Sequence, residues 1–246
     1  MGSRLFVPFF VLAFLSTVTC YAQSHPAAAS PNRRLDNRPV SAQELAMSPK
    51  AHSEFEKGTQ LLLEGDTQGS VQHLRLAIEQ SPRYYGPYHN LAMAYYRLDQ
   101  IDDAAKYFQK AIDLSNASHV PSLYGLAMIH YRNNEFAQAE PLLQRAMVLQ
   151  PSVAGKYCLG SIQFALGRPA EAERSAREAL QLNPDIADTY FLLARIHESQ
   201  KNPTAAIDDI RNYLRLAPNG AMKPEALAIL SRAQAHSSTP QSASLH

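Results

Sequence analysis

The sequence predicts an all-α chain in which about five helix–turn–helix units stack in series, and three observations carry that expectation. An Ala is followed five residues later by a Pro or another turn residue in place after place: Ala77 and Pro82, Ala111 and Asn116, Ala146 and Pro151, Ala179 and Pro184. A fifth copy puts Tyr213 in the Ala place before Pro218, and the turn residues lie 34, 35, 33 and 34 positions apart. Within the copies, large apolar residues recur at three- and four-residue spacing, the stripe that an amphipathic helix buries. Small residues interrupt that stripe at Gly58, Ala92, Ala127, Gly160 and Ala194, where two helices of one unit cross and their axes can approach to about 8–10 Å. Finally, hydrophobic residues make up 46% of the 246-residue chain, enough for a core, and the chain has only 10 Gly and no Trp, little material for a glycine-rich nucleotide-binding fold.

The same composition excludes other classes. With 23 Lys+Arg against 22 Asp+Glu, the chain lacks the basic excess by which a sequence-independent nucleic-acid binder displaces counterions, and no nucleic-acid partner is expected. Two Cys cannot make a disulfide-dense scaffold or a Cys-rich zinc site.

Taken in order, the chain opens on Arg4 and an apolar run from Leu5 to Val18, followed by small residues at Cys20 and Ala22. This is the layout of a secretory signal peptide over residues 1–22, and it predicts an exported, periplasmic or otherwise extracytoplasmic protein. The apolar core is shorter than the roughly 20 residues of a membrane-spanning helix. An uncleaved anchor over Leu5 to Ala22 is the main alternative, and only then is a membrane a partner. A lipid-modified Cys20 is a third reading, against which stands the bulk of Thr19. After cleavage Cys158 has no partner in the chain and is expected to be buried and inert. Residues 23–50, rich in Pro, Ala and Ser, read as a flexible linker, and 237–246 as a disordered tail.

The repeated body follows. Turns are expected at Glu64-Gly65-Asp66, Leu98-Asp99-Gln100, Arg132-Asn133-Asn134, Leu166-Gly167-Arg168 and Gln200-Lys201-Asn202, each with Gly, Asn or Asp chemistry before a second amphipathic helix. Pro169 and Pro203 fall in the first turn of theirs, where a missing N–H costs little. The second copy reads Tyr88-x2-Leu91-Ala92-x2-Tyr95, then Ala104-x3-Phe108-x2-Ala111, and the fifth reads Tyr190-x2-Leu193-Ala194-x2-His197, then Ala206-x3-Ile210. These residues resemble the tetratricopeptide repeat family, with copies at about 51–84, 85–119, 120–152, 153–186 and 187–220. Copies one and four depart at the leading bulky place, which holds Glu54 and Lys156. The resemblance implies a right-handed superhelical solenoid whose first helices line a concave side, closed by a capping helix at 221–236. For that cap we expect Met222, Ala226, Leu227 and Leu230 on the packing side.

The resemblance also implies that a partner protein or peptide binds the concave side. Helical spacing places His89, Met93, Tyr96 and Arg97 there in the second copy and Tyr124, Met128, Tyr131 and Arg132 in the third. The fourth contributes Tyr157, Ser161 and Phe164, and the fifth Phe191, Arg195 and Glu198. Aromatic and Arg side chains are the usual anchors of interfaces. The same residue types at the same spacing also describe packing between repeats, and the sequence leaves the two open. Asn90 matches one place of the family's carboxylate clamp for chaperone tails, but Phe55, Thr59, Pro121 and Tyr124 occupy the others, so that clamp is absent.

No catalytic constellation is visible. His197-Glu198-Ser199-Gln200-Lys201 begins like a zinc-protease helix but has Lys201 in place of the second His, and neither a phosphate loop nor a Gly-x-Ser-x-Gly elbow occurs. Asn116-Ala117-Ser118 is a glycosylation sequon only for a eukaryotic secretory pathway. The expectation is a non-enzymatic adaptor with no metal and no cofactor. The alternative is an assembly or anchoring subunit of a membrane-associated envelope complex of the secretion or pilus type.

Overall fold

Tight turns with a left-handed residue set the architecture. The chain leaves one helix through Gly65 (φ 92°), Asp99 (58°), Asn134 (60°), Gly167 (73°) and Lys201 (56°), positions that keep the spacing of the sequence repeat. At the second turn the Gln100 amide donates to the Tyr95 carbonyl at 2.9 Å and the Asp99 amide to Tyr96 at 3.1 Å. Arg168 with Gly167 and Asn202 with Lys201 make the same pair of bonds. This is the Schellman closure, which satisfies the last carbonyls of a helix while reversing the chain.

The computed structural model describes residues 47–237. The expected signal segment, nearly all of the expected linker and all but the first residue of the expected tail lie outside the described residues. Eleven helices and no strand occur among the described residues: α1 (Pro49–Glu64), α2 (Thr67–Gln80), α3 (Tyr85–Arg97), α4 (Ile101–Leu114), α5 (Val120–Arg132), α6 (Phe136–Leu149), α7 (Val153–Ala165), α8 (Pro169–Leu182), α9 (Ala187–Ser199), α10 (Pro203–Leu216) and α11 (Lys223–Ser237). Several starts are capped by side chains that accept an otherwise orphaned amide. Ser48 accepts from Ala51 at 3.1 Å, Asp66 from Gly69 at 2.9 Å, Ser152 from Gly155 at 3.1 Å and Asn202 from Ala205 at 3.2 Å. Pro169 and Pro203 open α8 and α10.

The chain divides into two compact units, one ending at Asn133 and the other beginning at Asn134. In unit 1 each helix from α1 to α5 packs on the next, and α3 also touches α1 and α5. In unit 2 each helix from α6 to α11 packs on the next, and α9 also touches α7 and α11. The small residues expected at helix crossings are fully buried: Ala92, Ala127 and Ala194 are each 0% exposed, and Gly58 and Gly160 are buried with them. A β-carbon at Gly160 would stand 3.1 Å from the Ala172 carbonyl oxygen and 3.4 Å from the Ala176 nitrogen, so α7 lies directly on the backbone of α8.

The two departures from the repeat pattern have a physical account. Glu54 of α1 meets His73 of α2 at 2.6 Å, and Lys156 of α7 is paired with Glu178 of α8. In the second copy the same place is filled by Tyr88, whose ring faces Tyr107 of α4 at 6.3 Å. A polar pair thus joins the two helices where other copies use bulk. Tyr213, standing in an Ala place, is 1% exposed and fills the space under α11. Its hydroxyl accepts the Met222 amide at 3.1 Å.

Helix α11 begins at Lys223 and turns Ala226, Ile229 and Ala233 onto Phe191, Ile210 and Tyr213, with Met222 and Leu230 at the margin. Leu227 does not join them; it is 46% exposed. Positions 226, 229 and 233 follow the i, i+3, i+7 stripe of one helix face, and residue 227 lies about 100° round from it.

Lys201 is a β-carbon-bearing residue held at φ 56°, a conformation that costs about 1–2 kcal/mol and that glycine adopts freely. Lys201→Gly should raise unfolding stability by roughly 0.5–1 kcal/mol and Gly167→Ala should lower it by about as much, both read by urea denaturation. Gly160→Leu should lower it further, by about 1–3 kcal/mol, because the obstructing atoms belong to the α8 backbone.

Candidate functional site

The first helices of unit 1 carry Met93, Tyr96, Tyr124, Met128 and Tyr131, all half-buried, with Arg97 and Arg132 exposed at the helix ends. The arginines are not idle. Arg97 donates through Nη1 to the Leu62 carbonyl near the end of α1, and Arg132 donates through Nη2 to Asp99 Oδ1 at 3.0 Å. The Asp99 carboxylate, assisted by the Tyr96 hydroxyl, raises the Arg132 pKa. Each guanidinium therefore reaches back one repeat, and across α3 and α5 the structure brings Tyr96, Asp99 and Arg132 together. Asn90, flagged as a lone clamp residue, donates from Nδ2 to Thr59 Oγ1 at 2.8 Å, a further bond from α3 back to α1.

His89 is half-buried like Met93 and Tyr96, and it makes contacts with the following helices. Its ring packs against Phe108 at 5.5 Å and His119 at 4.7 Å, and its Nδ1 lies 3.0 Å from Ser122 Oγ. The following repeat packs against it, which the residue's angular position on α3 could not reveal.

In unit 2 the expected residues divide likewise. Tyr157 and Phe164 are half-buried on α7. The Arg195 guanidinium lies 5.4 Å from the Phe164 ring centre, a cation–π contact, and 3.8 Å from Glu225 of α11. Glu198 accepts from Arg232 at 2.7 Å. Two expectations are overturned. Phe191 is 2% exposed, packed on Tyr213 at 5.4 Å and covered by α10 and α11. Ser161 is buried, and its hydroxyl donates to the Tyr157 carbonyl at 3.0 Å.

The most concentrated electrostatic feature of unit 2 was invisible as a sequence motif. His197, 4% exposed, places Nδ1 2.6 Å from Asp209 Oδ2 and Nε2 3.4 Å from Glu173 Oε1. The hydrogen bond to Asp209 raises the imidazole pKa against the opposing effect of burial, with Glu173 adding to the rise. Burial works against ionisation of Glu173, but hydrogen bonds from Arg177 and His197 outweigh it and hold the carboxyl below its ordinary range. With one carboxylate on each ring nitrogen, the cluster is a charged bridge linking α8, α9 and α10. Among the described residues no group of three His, Cys, Asp or Glu side chains is placed to hold a metal ion. Cys158 is buried and free, and desolvation pushes its thiol pKa up, away from the thiolate a nucleophile needs.

Two tetratricopeptide repeat models match the chain, one over residues 87–152 and the other over 157–221, together more than half of it. The chain belongs to the tetratricopeptide repeat family. Among curated relatives, the human protein O-mannosyl-transferase TMTC1 is 26% identical over 130 residues, covering 52% of this chain and 14% of that protein. The TPR repeat-containing protein MJ1428 of Methanocaldococcus jannaschii is 26% identical over 169 residues, 65% of this chain and 30% of its own length. The tetratricopeptide chain thus spans less than a third of either relative. Among solved structures, YrrB, described as a TPR protein with an unusual peptide-binding site, superposes with a TM-score of 0.67 at 16% identity, covering 77% of this chain and 99% of YrrB. That likeness is one of fold.

Because folding raises the pKa of His197, the bridge it makes stabilises unit 2 fully below the unfolded value of about 6.5 and loses that contribution as pH rises through the higher folded value. Urea unfolding of unit 2 followed from pH 6 to 9 should show this decline, and Asp209→Asn should flatten it. A stability that climbs through the same window would contradict the assignment.

Proposed function

We propose that this chain is a non-enzymatic tetratricopeptide adaptor, exported across a membrane, that holds an extended segment or helix of a partner protein on its first helices. Proteins of repeat architecture use such extended surfaces for binding. The observation that carries the reading here is the half-buried row of Met93, Tyr96, Tyr124, Met128 and Tyr131 in unit 1. Aromatic and Met side chains at that depth offer apolar area without being consumed by the core, and Arg132, held by Asp99 and Tyr96, is already oriented. An interface anchor contributes about 2 kcal/mol or more when well buried, so a few support roughly micromolar affinity. The peptide-binding site described for YrrB is consistent with this use of the fold. Export rests on the layout of residues 1–22 alone. Among the described residues no helix is long and apolar enough to cross a membrane.

A second reading, an assembly subunit of an envelope complex working through its second helices, is favoured by one observation. Val148 on α6 is 76% exposed and Leu182 on α8 is 55% exposed, both on helices opposite in role to those of the first reading.

Peptides selected from a displayed library on the mature chain should bind at micromolar Kd. Tyr124→Ala combined with Met128→Ala should weaken them by about thirtyfold or more while leaving the melting temperature within a few degrees. A melting temperature that collapses makes these residues packing; binding that is untouched, or lost instead with Val148→Ser and Leu182→Ser, moves the interface to the second helices. N-terminal sequencing of the exported protein decides between a start at Gln23 and a retained anchor.

A further inference from the structure

Two half-buried imidazoles of unit 1 meet with no carboxylate between them. His89 of α3 and His119, the residue before α5, both direct Nδ1 at the hydroxyl of Ser122, at 3.0 and 2.7 Å. Their rings are 4.7 Å apart and nearly perpendicular. Phe108 of α4 lies 5.5 Å from His89 and Tyr85 of α3 lies 4.6 Å from His119. Behind Tyr85 stand Tyr84 and, from α1, Phe55. Ser122 itself is 0% exposed.

Several charged groups of the surrounding helices are engaged elsewhere. On α1, Glu54 is taken by His73 of α2 and Glu56 faces His52. Arg75 of α2 and Asp103 of α4 act on Tyr95. Lys106, Lys110 and Asp113 of α4 gather round Tyr88 and Tyr107, and Arg132 of α5 is held by Asp99. Tyr85, the ring against His119, carries no carboxyl group.

A hydroxyl carries one proton, so Ser122 donates to one Nδ1 and accepts from the other. Two neutral imidazoles satisfy this arrangement. Two imidazolium ions do not: both would donate to Ser122, its own proton would lose its acceptor, and two cations would face each other at van der Waals distance. Burial drives both groups the same way. His89 is held well below the ordinary histidine range, first by desolvation and then by His119, and desolvation lowers His119 to about 4.

We propose that the His89–Ser122–His119 junction is an acid-sensitive joint of unit 1: acidification separates α3 from α5 while the helices of unit 2 keep their packing. The asymmetry follows from the partners. At the junction His89 and His119 have only a hydroxyl and aromatic rings as partners, so there the unfolded state binds protons more tightly and stability falls as pH drops below about 6.5. In unit 2 the buried imidazole sits between Asp209 and Glu173 and gains from its proton. This inference does not depend on any bound partner.

Hydrogen exchange of the full chain, corrected for the intrinsic pH dependence of exchange and followed from pH 7 to 4, tests it. The amides of α3 and α5 should lose protection on acidification and recover it on neutralisation, while those of α8, α9 and α10 remain protected. Protection of α3 and α5 that persists to pH 4, or loss in both units at the same pH, overturns the proposal. His89→Gln with His119→Gln, neutral at every pH and still able to hydrogen-bond, should move the unit 1 transition down by about one pH unit or more; an unmoved transition also overturns it. Should that variant not fold at neutral pH, proton NMR of the wild-type imidazoles decides. Two resonances that titrate only as unit 1 opens, below about pH 5, support the joint, and a full set titrating near 6.5 overturns it.

Discussion

Within each of the two units, paired helices depend on a small residue where backbones cross. Ser70, Ala104, Ala139, Ala172 and Ala206, one in each second helix, are all 0% exposed, and they recur with the spacing of the left-handed turns. A larger side chain at such a place would hold the helices apart and strip contacts from every neighbour in a close-packed interior. A single pair cannot enclose its own apolar stripe, so each unit is stabilised by the next pair along. The turn and the crossing residue thus act jointly. The Schellman closure fixes how sharply the chain returns, and the small side chain fixes how closely it can lie against the helix it left.

Within that frame, individual positions behave as slots whose chemistry changes while their geometry persists. In three of the pairs a residue of the first helix faces the residue twelve positions later in the second. Tyr95 and Tyr107 stack there with ring centres 5.3 Å apart, Ser175 donates to Gln163 at 2.7 Å, and His197 is bonded to Asp209 at 2.6 Å. An aromatic stack, a neutral hydrogen bond and a charged one solve the same contact. The pH response of the two units is a by-product of this freedom. One histidine arrives in a slot whose partner is a carboxylate, and two others arrive beside a serine and two rings.

The period, the turns and the crossing residues were legible in the sequence because each is imposed locally and imposed again about every 34 residues. Met93, Tyr124 and Met128 were also read as a face from helical phase alone, and all three are half-buried. Phase gives the direction of a side chain from its own axis, and it carries no information about what lies in that direction. His89 and Phe191 point the same way as their counterparts in other repeats, yet Ser122 and His119 bond and pack against the first, and α11 closes over the second. Leu227 failed for the related reason that a short Ala-rich helix carries apolar residues on more than one side. Asp209 and Glu173 escaped notice because their meeting with His197 links three helices, which no local pattern encodes.

The arginines show how such long-range pairing shapes a binding face. Arg97 and Arg132 of unit 1 and Arg195 of unit 2 are each already engaged: with the Leu62 carbonyl, with Asp99, and with Phe164 and Glu225. A tethered guanidinium gives a ligand less new electrostatic energy than a free one, since a partner carboxylate must compete with Asp99 or Glu225. In return the side-chain entropy normally lost on binding, about 0.5–1.5 kcal/mol per long side chain, has already been surrendered on folding. Such a face discriminates poorly by charge and better by shape. On the binding role we propose, unit 1 offers above all the apolar surface of Met93, Tyr124 and Met128 beside the engaged Arg97 and Arg132, and a partner suited to it presents hydrophobic side chains at regular spacing rather than a cluster of acids.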